Sequence, residues 1–199
     1  MIIYLEGADA SGKSTLRHKI VEQLYATVDE WTEFGIIGIV ENGEELIPTR
    51  PTNPKRLNLE DLFRKLWEMA FDLKTIYICD RGPISDIIYR TFDKFQPVMT
   101  LNQYVNFWIK AHRLIVTVWC DSDVSTEMLH ERGDNNPIAV ANHAAIRYLY
   151  KQIMPIFKPV KYDFAKVTDG GQGKIDIILM NLYNGLYLAT EEAKKAELK

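Results

Sequence analysis

Cysteine is nearly absent from this chain: among 199 residues only Cys79 and Cys120 occur, each closing an apolar run and each followed by aspartate. Two distant cysteines make neither a zinc framework nor a disulfide scaffold, so a reducing, cytoplasmic setting is expected. An excess of positive charge is missing too. Lysine and arginine number 24 against 27 acidic residues, a net charge of −3, which argues against a protein that coats polymeric nucleic acid. No apolar run approaches the length of a membrane span, so no membrane partner is expected. The opening Met1-Ile2-Ile3-Tyr4-Leu5 carries no basic lead-in or cleavage signature and reads as a strand. An Asn-Lys-x-Asp guanine-reading segment is lacking, which disfavours a GTPase. Neither repeats nor linkers interrupt the chain, and residues 1–199 read as one α/β domain.

What is present begins five residues beyond Ile2. Gly7-Ala8-Asp9-Ala10-Ser11-Gly12-Lys13-Ser14-Thr15 is a complete G-x-x-x-x-G-K-[ST] phosphate-binding loop between an apolar run and a helical pattern. Its glycines let backbone N–H groups converge on a polyphosphate, and the next helix aims its positive end at the same place. Gly7, Ala10, Ser11, Gly12, Lys13, Ser14 and Thr15 are thus expected to hold the phosphates of a nucleoside triphosphate. Lys13 would reach the β- and γ-phosphates, and Ser14 would ligate Mg²⁺.

Apolar periodicity places further strands at Thr75–Cys79, Leu114–Cys120 and Tyr162–Val167, with helices between them and a last helix from Ile175 to about Lys195. The runs Phe34–Val40 and Leu46–Thr49 flank Asn42-Gly43, which favours a tight turn, so two strands or an elaborated second strand are expected over residues 34–49. The fold expected is a doubly wound, parallel, five-stranded sheet flanked by helices, of the P-loop NTPase type, with its site at the carboxyl edge.

Three features bear on the reaction. Asp80-Arg81 falls at a strand end, where the carboxylate suits Mg²⁺ or its waters and the guanidinium suits a phosphate. Glu131 to Asn136 is a polar, glycine-containing break between helices, inside a lid segment at about 129–140; Arg132 there could reach the transferring group. Arg50 follows the run Leu46-Ile47-Pro48 with no carboxylate beside it. A 5′-hydroxyl acceptor needs a general base, whereas a monophosphate needs cations, so Arg50 favours a phosphate acceptor. Glu44 and Glu45 lie too far upstream to act as that base unless the strand register differs.

These residues resemble the thymidylate kinase group of P-loop nucleoside monophosphate kinases. Asp80-Arg81-Gly82-Pro83-Ile84-Ser85-Asp86-Ile87-Ile88-Tyr89 is similar to that family's Asp-Arg-x-x-x-Ser-x-x-x-Tyr segment, and Thr49-Arg50-Pro51 to its Thr-Arg-Glu-Pro element. Met128-Leu129-His130-Glu131-Arg132-Gly133 resembles the helix that leads into its lid. The resemblance implies phosphoryl transfer from ATP·Mg²⁺ to a deoxynucleoside monophosphate, with catalysis by Lys13, Arg81 and Arg132 and with Ser14 and Asp80 around the metal. It also implies acceptor contacts from Asp9, Arg50, Phe63, Arg81, Ser85 and Tyr89, and a homodimer. The chain departs from the family where Pro51 follows Arg50 directly, and where Ala10 replaces the loop arginine of some members. The catalytic arginine is then expected in the lid, at Arg132, with Arg147 in reserve. Rival readings are a deoxynucleoside kinase, a kinase acting on polynucleotides, and a nucleotide-binding regulator without catalysis.

Overall fold

Strand and helix alternate along the chain in the computed structural model, which describes residues 1–27, 38–41, 59–92, 96–131, 137–167 and 169–197. The order is β1 (Ile2–Glu6), α1 (Lys13–Ala26), β2 (Gly38–Glu41), α2 (Leu59–Phe71), β3 (Thr75–Asp80), α3 (Pro83–Arg90), α4 (Leu101–Ala111), β4 (Ile115–Cys120), α5 (Ser125–Glu131), α6 (Pro137–Ile153), β5 (Val160–Tyr162) and α7 (Gln172–Glu197). The five strands form one parallel sheet in the order β2-β3-β1-β4-β5. β1 therefore lies in the middle, with Leu5 in register with Asp80 on one side and Val118 on the other.

Central position explains the unbroken apolar spelling of β1. Successive side chains point to opposite faces, and both faces are covered. Ile2 and Tyr4 pack in the layer built by α2, α3, α4 and α6, through Leu66, Ile88, Phe107 and Ile146. Ile3 and Leu5 pack in the other layer, against Leu16 and Ile20 of α1 and Ile178 and Leu182 of α7. The expected doubly wound sheet is what the chain forms. Its strand order reverses beside β1, which puts the crevice used by ligands in such sheets at the loop after that strand.

The structure moves three of the expected boundaries. The last strand is Val160–Tyr162 rather than Tyr162–Val167, because the Asp163 carboxylate accepts the Ala165 N–H at 3.1 Å and turns the chain away. α7 starts at Gln172 rather than Ile175, since Asp169 accepts N–H groups from Gly171 and Gly173, each at 2.9 Å. The second strand of the sheet comes from the first of the two candidate runs: Gly38–Glu41 pairs with Thr75–Ile78. The turn and the second run, with Arg50, lie outside the described residues, as does Arg132 of the lid segment.

Candidate active site

The carboxyl ends of β1, β3 and β4 converge on the phosphate loop. Gly7 leaves β1 with φ 149°, Ala10 has φ 56°, and Gly12 has φ 85° at the N-terminus of α1. These left-handed turns fold residues 7–12 into a cup. No side chain caps α1, so the backbone donors of its first turn face the cup without an internal partner. Inside the cup Lys13 is buried, and its ammonium donates to the carbonyls of Gly7 at 3.1 Å and Ala8 at 2.7 Å and to Ser11 Oγ at 3.3 Å. Burial brings its pKa down to about 8, and Arg81 pushes the same way, while Asp80 and Asp9 oppose the fall.

Ser14 and Asp80, expected to share a metal, are brought together: the Ser14 hydroxyl donates to Asp80 Oδ2 at 3.0 Å. A hydroxyl and a carboxylate, both hard oxygen donors at an accessible position, fit Mg²⁺, which keeps several of its waters. Ser11 is buried, whereas Thr15 is exposed on α1.

On the other flank of the loop Arg81 takes a left-handed backbone, φ 77°, with its N–H donating to the Leu5 carbonyl at 2.9 Å. Its guanidinium pairs with Asp9, reaches the Gly7 carbonyl at 3.4 Å, and lies 4.6 Å from the centroid of the Tyr89 ring. The Tyr89 hydroxyl donates to the second Asp9 oxygen at 2.7 Å. Burial alone would raise the Asp9 pKa, but Arg81, Lys13 and the Tyr89 hydroxyl hold it below the usual range. Asp9, Arg81 and Tyr89, picked out separately in the sequence, thus form one cluster. Ser85 sits one helical turn before Tyr89, buried, with its hydroxyl engaged by Glu6 and Tyr150. Phe63 is partly buried on α2, its ring 6.5 Å from that of Phe107. Arg147 is tied to Asp121 at 2.8 Å and Asp123 at 3.2 Å, beyond the end of β4. Both cysteines are buried, and burial lifts their thiols to about 12, so neither is a nucleophile at neutral pH.

Sequence reasoning missed two residues. His143 of α6 donates from Nε2 to the Asp9 carbonyl at 3.1 Å, because a carbonyl can only accept, and its Nδ1 shares a hydrogen bond with Thr126 Oγ1 at 3.0 Å. Nothing local marks it. Glu6 is wholly buried at the end of β1, where a charged residue in an otherwise apolar strand was the available signal. Burial raises its pKa to about 7, against the opposing pull of Ser85, Arg81 and Lys13. A carboxyl raised in the folded state costs stability as pH rises from about 4.5 through 7, in full above that window. Glu6→Gln, which cannot ionise, is expected to gain about 2–3 kcal/mol on the wild type between pH of about 5 and about 8 in urea unfolding. A difference that does not vary with pH would show that Glu6 keeps one protonation state.

The chain matches no protein-family model and no curated protein sequence. Solved structures do share its fold. The YorR protein of Bacillus subtilis, solved in complex with phosphorylated GDP, is similar with a TM-score of 0.61 at 23% identity, over 90% of this chain and 95% of that one. Thymidylate kinase from Candida albicans is similar with a TM-score of 0.51 at 15% identity, over 92% of each chain. At these identities the likeness shows a shared fold, the parallel five-stranded sheet flanked by helices. None of the described helices is long and apolar enough to cross a membrane.

Proposed function

We propose that this protein transfers the γ-phosphoryl group of ATP to the phosphate of a deoxynucleoside monophosphate, thymidylate or a related nucleotide. One observation carries the reading: the phosphate cup is flanked by a guanidinium, Arg81, fixed at its mouth by Asp9 and Tyr89. A cup of amides and an ammonium suits a donor polyphosphate, and a guanidinium fork suits a second phosphate beside it. The likeness to YorR, which bound a guanine nucleotide, and to a thymidylate kinase supports a nucleotide acceptor.

In this reading Lys13 leaves the Gly7 and Ala8 carbonyls for the β- and γ-phosphates, where its charge offsets that developing on the transferred group. Arg81 and Arg50 hold the acceptor phosphate in line, Asp9 faces the sugar, Phe63 stacks on the base, and Arg132 closes from the lid. Ser14 and Asp80 would hold Mg²⁺, which would neutralise phosphate charge when bound. The remainder is positioning and exclusion of water by the protein.

A deoxynucleoside acceptor stands second, and one observation favours it. Because the paired strand is Gly38–Glu41, Glu41 closes it at the carboxyl edge, where a base for a 5′-hydroxyl would be needed, and Glu44 and Glu45 come three and four residues later in the sequence. A panel of deoxynucleoside monophosphates and deoxynucleosides, assayed for ADP release from Mg·ATP, decides between them. Turnover confined to one or a few monophosphates is the expected result. Turnover on nucleosides alone would transfer the role to those carboxylates, and silence across the panel would leave a regulator or an unusual acceptor.

A further inference from the structure

We infer that Glu6 is a positioning residue for the acceptor side of the site, acting as the buried seat on which the Arg81 turn and α3 rest. The inference rests on the monophosphate kinase reading above for what the acceptor is, and on geometry for the rest. Glu6 touches that side at two places. One of its oxygens accepts the Ser85 hydroxyl, which is itself 2.7 Å from the hydroxyl of Tyr150 on α6. When ionised, the carboxyl can only accept, and the protons then run from Tyr150 to Ser85 to Glu6, a directed chain that fastens α3 and α6 to β1.

The second place is the turn itself. Gly82 lies so close that a Cβ there would be 2.8 Å from Glu6 Oε1 and 2.5 Å from Tyr4 Cδ1. The Arg81-Gly82 backbone therefore lies directly against the carboxyl. Arg81 needs such a seat, because a non-glycine residue at φ 77° stays there only where its surroundings fix it. Ser85 and Tyr89 are four residues apart, on one face of α3. Holding Ser85 thus also sets where the Tyr89 hydroxyl meets Asp9 and where its ring supports Arg81. Donor contacts follow another route, through the loop amides, Lys13 and α1. Glu6 should accordingly govern affinity for the acceptor and leave affinity for the donor nearly alone.

Oε1 of Glu6 is buried without a hydrogen-bond partner, as are the hydroxyls of Tyr4 and Tyr104 in the same layer. A residue kept for packing alone would not bring an unpartnered carboxyl oxygen into the core, where it costs roughly 1–3 kcal/mol. A residue kept to receive the Ser85 hydroxyl and to back the turn would.

Calorimetry on the full chain tests this, titrating the monophosphate that the panel identifies and, separately, ATP, into wild type, Glu6→Ala, Glu6→Gln and Tyr150→Phe. Loss of the terminal acceptor in Glu6→Ala is expected to weaken acceptor binding about 10- to 100-fold, with ATP binding within about two-fold of wild type. Glu6→Gln, whose amide oxygen still accepts from Ser85, should recover most of that affinity. Tyr150→Phe removes one hydroxyl without touching the turn, and should weaken the acceptor about three- to ten-fold. Should Glu6→Ala fail to fold, Tyr150→Phe together with Glu6→Gln decides. Equal losses for acceptor and ATP, or no loss of acceptor binding in Tyr150→Phe, would overturn the inference. A wild type that binds ATP but no monophosphate would instead overturn the functional reading.

Discussion

Lys13→Ala should abolish most phosphoryl transfer, lowering kcat by about 10³-fold while the protein remains folded. The ammonium lies inside the cup, and its three partners among the described residues are two loop carbonyls and a loop hydroxyl, weaker competitors than a polyphosphate. It can therefore leave the loop oxygens for the transferring group. Because the charge is worth most where negative charge develops, the loss should appear chiefly in kcat, with a smaller effect on ATP affinity. Single-turnover rates with Mg·ATP and the preferred acceptor provide the check. A variant within about ten-fold of wild type would mean that Lys13 serves the loop's architecture rather than the reaction.

Gly7→Ala should be among the most damaging substitutions for stability. A Cβ at this position would stand 2.1 Å from the carbonyl oxygen of Cys120, and the φ of 149° is one that alanine rarely adopts. The obstacle is the backbone of β4, in the middle of the sheet, so no side-chain rotation relieves it. A cost above about 4 kcal/mol follows, lowering Tm by about 10 °C or more for a chain of this size. Gly38→Ala is the control. Among the described residues its added Cβ meets only Thr75, with Cγ2 at 3.7 Å, an ordinary contact, and Tm should move by no more than about 3 °C. Comparable losses in the two variants would show that the close approach at Gly7 is relieved by a shift of the loop.

The sheet and the phosphate cup were legible in the sequence because each has a local cause. Burial on both faces writes itself into nearly unbroken apolar runs such as Ile2–Leu5 and Ile115–Cys120, and the cup needs its glycines at fixed spacing. The pairings Ser14–Asp80 and Asp9–Arg81–Tyr89 were legible in kind, since those residues lie on the turns after β1 and β3 or on the helices that follow them, which a parallel sheet gathers on one edge. Partners supplied by a distant helix were not. His143 and Tyr150 reach the loop and Glu6 only because α6 crosses that face, and their local sequence is that of an ordinary amphipathic helix. The ends of β5 and α7 were misplaced for a different reason. Both are set by single aspartate side chains, Asp163 and Asp169, that capture backbone N–H groups against the apolar periodicity.

The uncapped start of α1 has a thermodynamic consequence for the whole chain. Most helices carry the residue that completes their first turn; in the kinase proposed above the completing group would arrive from solution, as a phosphate. Folding and occupancy are then linked by mass action: at a nucleotide concentration about 100 times Kd the folded state gains about 2.7 kcal/mol. A protein of this design is sturdier in a nucleotide-rich solution than in a depleted one, and its resistance to unfolding becomes a gauge of its own substrate supply.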